Sequence, residues 1–60
     1  MKELTLQDMF TIDEILTEAE AYSLRFEVQK TAMFLYDENK DDEYYKLVDA
    51  YSQAFSEWIK

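Results

Sequence analysis

The groups in this chain that could carry protons or bind cations are carboxylates. Fourteen Asp and Glu stand against six Lys and Arg, with no His and no Cys. Carboxylates gather at Asp13-Glu14, at Glu18 and Glu20, and in the run from Asp37 to Glu43. General acid catalysis would need one of them raised in pKa within a dry pocket and opposed by a second group. These positions read instead as helix starts, a loop and polar helix faces, where water holds a carboxylate ionised. Ser23, Ser52 and Ser56 have no His to act as a base, and no turn offers an oxyanion hole. Asp37, Asn39 and Asp41 copy positions 1, 3 and 5 of a calcium loop. Asp42 then stands where that loop needs Gly, and Val48 where it needs Glu. Without Cys or His, a structural zinc site and the Glu-x-x-His pairs of a di-iron bundle are excluded. The chain is read as non-enzymatic, with no cofactor and no metal.

The charge narrows the partners. A net −8 repels phosphates and anionic membranes and attracts basic surfaces at long range; it also keeps a small protein dispersed. Direct nucleic-acid binding is not expected, because the cations Lys2, Arg25, Lys30, Lys40, Lys46 and Lys60 are scattered among acids. The converse, an acidic protein that imitates phosphates, has some support. Asp13, Glu20 and Glu27 recur every seven residues, and the acidity concentrates in residues 1–24 and 37–43. Met1 to Phe10 has no apolar stretch of a signal peptide, and no apolar run is long enough to span a membrane. The cytoplasm is the expected location.

Sixty residues, 48% of them hydrophobic and without Gly or Pro, predict one small all-α domain. Thr5-Leu6-Gln7-Asp8 has the form of an N-cap, and Thr11-Ile12-Asp13-Glu14 repeats it as a capping box. They predict a short helix over about 6–10 and a long one over about 12–36. The alternative is one continuous helix from residue 6. The long helix should span about 37 Å at about 1.5 Å per residue. Asp37 and Glu38 should end it by opposing the helix dipole, and Asn39 is the candidate for a left-handed C-cap. After a loop at 37–41, Asp41 or Asp42 should cap a last helix over about 42–59. Glu43 would suit its positive end and Lys60 its negative end. Tyr44, Leu47, Val48, Tyr51, Ala54, Phe55, Trp58 and Ile59 would share its apolar face, opposite Lys46, Asp49, Gln53, Ser56 and Glu57. The expected architecture is an antiparallel helical hairpin with a short N-terminal helix.

The long helix carries two apolar stripes. The first is Ile12, Ile15, Ala19, Tyr22, Phe26, Gln29, Met33 and Tyr36. Gln29 within it is either a register-setting polar residue in the core or a side chain at a gap that reaches water. The second is Leu24, Val28, Ala32 and Leu35, on the opposite side. The last helix can cover only one stripe, and the sequence leaves open which; the second is assigned to self-association in a homodimer with a four-helix core, or to a different protein. The aromatics read mainly as core by spacing, with Phe34 and Tyr45 at the stripe edges. For a basic protein partner, the expected surface is the acidic loop of Asp37, Glu38, Asp41, Asp42 and Glu43. The role expected is that of an inhibitor, adaptor or regulator; a structural subunit of a larger helical assembly is the other reading.

Ser52-Gln53-Ala54-Phe55-Ser56-Glu57-Trp58-Ile59 slightly resembles the second-helix signature of the small sporulation aspartyl-phosphate phosphatases, themselves helical hairpins. That family has Asp where this chain has Ser56, so the resemblance implies no phosphatase activity here. In size, acidity and lack of Gly the chain is also similar in character to short helical proteins of bacteriophages and other mobile elements.

Overall fold

The computed structural model describes residues 3–59 and contains three α-helices and no strand among them: α1 (Leu6–Ala21), α2 (Arg25–Glu38) and α3 (Leu47–Trp58). Each helix packs on the other two, α2 and α3 most extensively. Lys60, expected to favour the end of the last helix, lies outside the described residues.

Thr5 starts α1. Its hydroxyl accepts from the Asp8 N–H at 3.0 Å, and the Asp8 carboxylate accepts from the Thr5 N–H at 3.2 Å. The sequence predicts an N-cap here, and it forms as a full reciprocal capping box. The capping box expected at Thr11 does not form. Thr11 lies inside α1, where its hydroxyl donates to the Gln7 carbonyl at 3.1 Å. The helix therefore continues through residue 11, and no separate helix over 6–10 exists.

The expected long helix over 12–36 is instead broken at Tyr22-Ser23-Leu24. Ser23 takes φ 60°, the left-handed region. The Leu24 N–H returns to the Ala19 carbonyl at 2.8 Å and the Ser23 N–H to the Glu20 carbonyl at 2.9 Å. That double bond pattern is the Schellman C-cap, with Ser in the place Gly usually takes. Leu24, the residue after the reversal, packs beside Ala19 in the core cluster, the apolar contact this motif favours.

Past the break, α2 runs on through Asp37 and Glu38. Asn39 ends it, but with φ −111° rather than a left-handed conformation. Its side-chain amide donates to the Leu35 carbonyl at 2.8 Å, and its backbone N–H reaches the same carbonyl at 3.1 Å, so the end of the helix is closed from both. The last helix begins at Leu47, five residues later than expected. Asp42 makes a local turn, its carboxylate accepting from the Tyr44 N–H at 2.9 Å. Asp49 does the capping from within, accepting from the Lys46 N–H at 2.9 Å.

The reversal decides what is buried. Ala19, Val28, Ala32, Ala50 and Ala54 are fully buried and Tyr51 nearly so, with Ile12, Ile15, Leu16, Leu24, Leu35 and Phe55 among the half-buried residues around them. The first stripe is divided. Ile12, Ile15 and Ala19 point into the core from α1, while Tyr22, Phe26, Gln29 and Met33 lie on the surface. Gln29 thus reaches water. In α2 the second stripe takes over the interior: Val28 and Ala32 are fully enclosed, Leu24 and Leu35 half so. On α3 the expected faces hold from Leu47 onward, with Ala50 added to the interior and Trp58 at the rim. The Trp58 indole N–H donates to the Thr31 hydroxyl at 2.8 Å, tying the end of α3 to the middle of α2.

The left-handed Ser23 carries a Cβ penalty that Gly lacks. Ser23→Gly should therefore raise stability in urea unfolding by about 0.5–1 kcal/mol, and Ser23→Val should lower it by about 1–2 kcal/mol.

Candidate functional site

Five carboxylates and no cation lie on α1. Asp13, Glu14, Glu18 and Glu20 are exposed. At 100° per residue Leu6, Phe10, Thr17 and Ala21 form an outward row, with Asp13 and Glu20 on one side and Glu14 and Glu18 on the other. Leu6 is 67% exposed and Phe10 57%. Met9 flanks them, also exposed. The outer face of α1 is thus apolar at Leu6 and Phe10, and from Asp13 onward it is flanked on both sides by carboxylates.

The loop between α2 and α3 brings the second acidic group. Asp37 and Glu38 close α2, and Asp41, Asp42 and Glu43 follow within the loop; all five are exposed. Tyr44 beside them is 84% exposed, too far out of any helix to join the apolar face expected of it. Tyr45 turns back instead: half-buried, it donates its hydroxyl hydrogen to the Gln53 carboxamide oxygen at 3.0 Å. Burial, with Asp49 and Glu57 nearby, raises its pKa above the ordinary value.

One ion pair joins these two acidic segments. The Lys46 ammonium, at the end of the loop, meets the Asp8 carboxylate in the first turn of α1. Asp8 also holds the helix cap, so a single carboxylate anchors the loop and starts the helix. The loop acids and the exposed Leu6, Met9 and Phe10 consequently share one end of the molecule. The Lys46 hydrogen bond first, and the Thr5 N–H after it, hold the Asp8 carboxyl below its ordinary value.

At the other end, the reversal leaves an open hollow of about 330 Å³ lined by Glu20, Ser23, Arg25 and Phe26. Arg25 reaches Glu20 across it at 3.5 Å, with both side chains well exposed. An exposed pair of this kind contributes little to stability. No group of three or more acidic side chains is arranged to hold a metal ion among the described residues, and none of the helices described is long and apolar enough to cross a membrane.

The residues expected to mediate self-association, Leu24, Val28, Ala32 and Leu35, belong to the chain's own core. They were assigned outward because a straight helix has one interior side throughout; the reversal at Ser23 gives α2 a different interior side from α1. The same reversal separates the seven-residue acidic row. Asp13 and Glu20 stay on α1 while Glu27 opens α2. The aromatics expected in the core are mostly outside: Phe10, Tyr22, Phe26, Phe34, Tyr44 and Trp58 are all exposed, and of the ten only Tyr51 is buried. Sequence reading passed over Leu6, Met9 and Phe10 as a surface feature, though three large apolar residues beside the Thr5 cap were already a signal. Comparison with protein-family models, with curated proteins and with solved structures finds no match.

The Asp8–Lys46 pair generates a pH signature. A carboxyl lowered in the folded state from its ordinary 3.8 contributes stability above that ordinary value and loses it as pH falls through the lowered folded value. Asp8→Asn should therefore lower the melting temperature at pH 7, and the difference from the unaltered protein should close as the solution is acidified. Parallel thermal melts from neutral to acidic pH measure this directly.

Proposed function

We propose that this chain is a non-enzymatic binding protein that engages a basic macromolecule as an inhibitor, adaptor or regulator. The observation that carries the reading is the meeting of acidic and apolar surface at one end of the molecule, through the Lys46–Asp8 pair. An apolar face flanked by carboxylates from Asp13 onward fits a helix with the opposite pattern, apolar on one side and basic at its margins. Long-range attraction from the net −8 would speed the encounter, and burial of Leu6 and Phe10 would hold the complex. The acidic loop supplies further charge to the same end. Phosphate imitation has less behind it, because Glu27 stands on a different helix from Asp13 and Glu20.

The reading includes self-association as a dimer, an antiparallel pairing of α2 and α3, and residence in the cytoplasm. Large apolar side chains on the surface of a chain with a small core support association in general.

A labelled 20-residue peptide of Leu and Lys in helical register serves as the probe. Its affinity should fall steeply as salt rises. Asp13→Asn with Glu20→Gln should slow its association about tenfold at low salt, and Phe10→Ala should speed its dissociation about tenfold. Equal binding of a scrambled Leu–Lys peptide would refute recognition by this face. Displacement of bound duplex DNA from a basic protein with no dependence on Phe10 would favour the phosphate-imitating reading instead.

A further inference from the structure

We infer that the partner of the α1 face is a helix divided along its length. It is apolar where it crosses Leu6 and Phe10, and basic at both margins where it crosses Asp13, Glu14 and Glu18. The inference rests on the reading above and specifies the partner of that same face. Along its outer row α1 changes character once. Leu6 and Phe10 begin the row and project from it; Thr17 and Ala21, both small and exposed, continue it. At about 1.5 Å per residue, Phe10 and Thr17 stand roughly 10 Å apart along the axis, so different turns of a bound helix meet the two halves.

Charge selects the occupant. Over its own bounds α1 holds Asp8, Asp13, Glu14, Glu18 and Glu20 and no cation. Two of these are engaged within the chain, Asp8 by Lys46 and Glu20 by Arg25. Asp13, Glu14 and Glu18 are exposed, and the ion pairs among the described residues leave them out. All three lie in the second half of the face. At about 100° per residue, Asp13 falls about 40° to one side of Thr17, and Glu14 about 60° and Glu18 about 100° to the other. In the first two turns the one carboxylate is Asp8, already held by Lys46, so no open charge competes with apolar contact at Leu6 and Phe10. A second copy, a nucleic acid or an anionic membrane would bring more negative charge to this face and is repelled. A small polycation would pair with the carboxylates but leave Leu6 and Phe10 in water. A helix with one apolar and one basic half satisfies both halves of the face. Thr17 and Ala21 let its backbone approach α1 closely, and Lys or Arg side chains extend past it to the carboxylates on either margin. Over Leu6 and Phe10 the same helix presents Leu-like side chains, which bury the projecting pair.

The test uses the full chain and two short Ala-based peptides of identical composition. The divided peptide carries Leu on one face of one half and Lys on the margins of the other; the mixed peptide spreads the same residues evenly along its length. Binding is read by fluorescence anisotropy at low and high salt, and circular dichroism confirms that each variant stays helical. The divided peptide should bind about tenfold more tightly than the mixed one at low salt. Glu14→Gln with Glu18→Gln should abolish that preference and remove most of the salt dependence, while Phe10→Ala should weaken binding at both salt levels and leave the salt dependence in place. Equal affinity for the two peptides overturns the division and leaves the basic-helix reading standing. Binding of neither peptide overturns the reading and the inference together. A preference for the divided peptide that survives Glu14→Gln with Glu18→Gln puts its basic half elsewhere and overturns the assignment to this face.

Discussion

Ser23 sits in the left-handed region because the fold needs the chain to reverse after α1, and no Gly is available to do it. The backbone bonds from Ser23 and Leu24 back to Glu20 and Ala19 close the end of α1. They also swing the next helix so that a different side of it faces inward. Had the helix continued, Ile12, Ala19 and Phe26 would share one side, and Leu24, Val28 and Ala32 would lie opposite. With the reversal, Ala19 from α1 and Val28 from α2 enter the same core. One unfavourable backbone conformation thus sets which apolar residues are interior and which are surface.

The core that results is built of small side chains. Four of its six buried residues are Ala, and Val28 is the largest side chain that is wholly enclosed. Small residues let helix backbones approach closely, which suits three short helices that must all touch one another. The consequence is a shortage of buried apolar area, since an Ala removes far less surface from water than a Phe or Leu. Stability then depends on the half-buried shell of Ile12, Ile15, Leu16, Leu24, Leu35 and Phe55, and on polar ties such as Trp58 to Thr31. The largest side chains find no room between closely packed helices and stay outside. An exposed Phe26 and a core of Ala are two results of the same packing.

What could be read in advance was whatever the local sequence encodes with little competition. The absence of Gly and Pro and the three-and-four spacing of apolar residues gave an all-helical chain. Thr5 with Asp8 gave the start of α1, since each satisfies the other's N–H. The faces of α3 were legible from Leu47 because its polar and apolar residues segregate completely. Where two signals compete, the sequence is silent about the winner. Thr11 with Glu14 looks as good a cap as Thr5 with Asp8, but a hydroxyl inside a helix can bond back to Gln7 and leave the helix intact. Asp41 and Asp42 look like better caps than Lys46, yet Asp42 bonds within its own turn and Asp49 supplies the cap from inside α3. A left-handed Ser leaves no compositional mark at all, so the division of the long stripe and the exposed side of α2 were hidden with it.

Charge and packing meet at Asp8. Two acidic segments, α1 and the loop, are brought to the same end of a chain that already carries −8, and their mutual repulsion opposes that arrangement. Lys46 offsets part of it, while Asp13, Glu14, Asp41, Asp42 and Glu43 stay exposed. A basic ligand bound across this end would neutralise carboxylates on both segments at once, and so would stabilise the folded chain in addition to binding it. Dissolved salt acts on the same repulsion without any specificity. On the proposed reading, binding and folding would be linked through one set of charges, because a basic surface drawn to this arrangement would also relieve its internal repulsion.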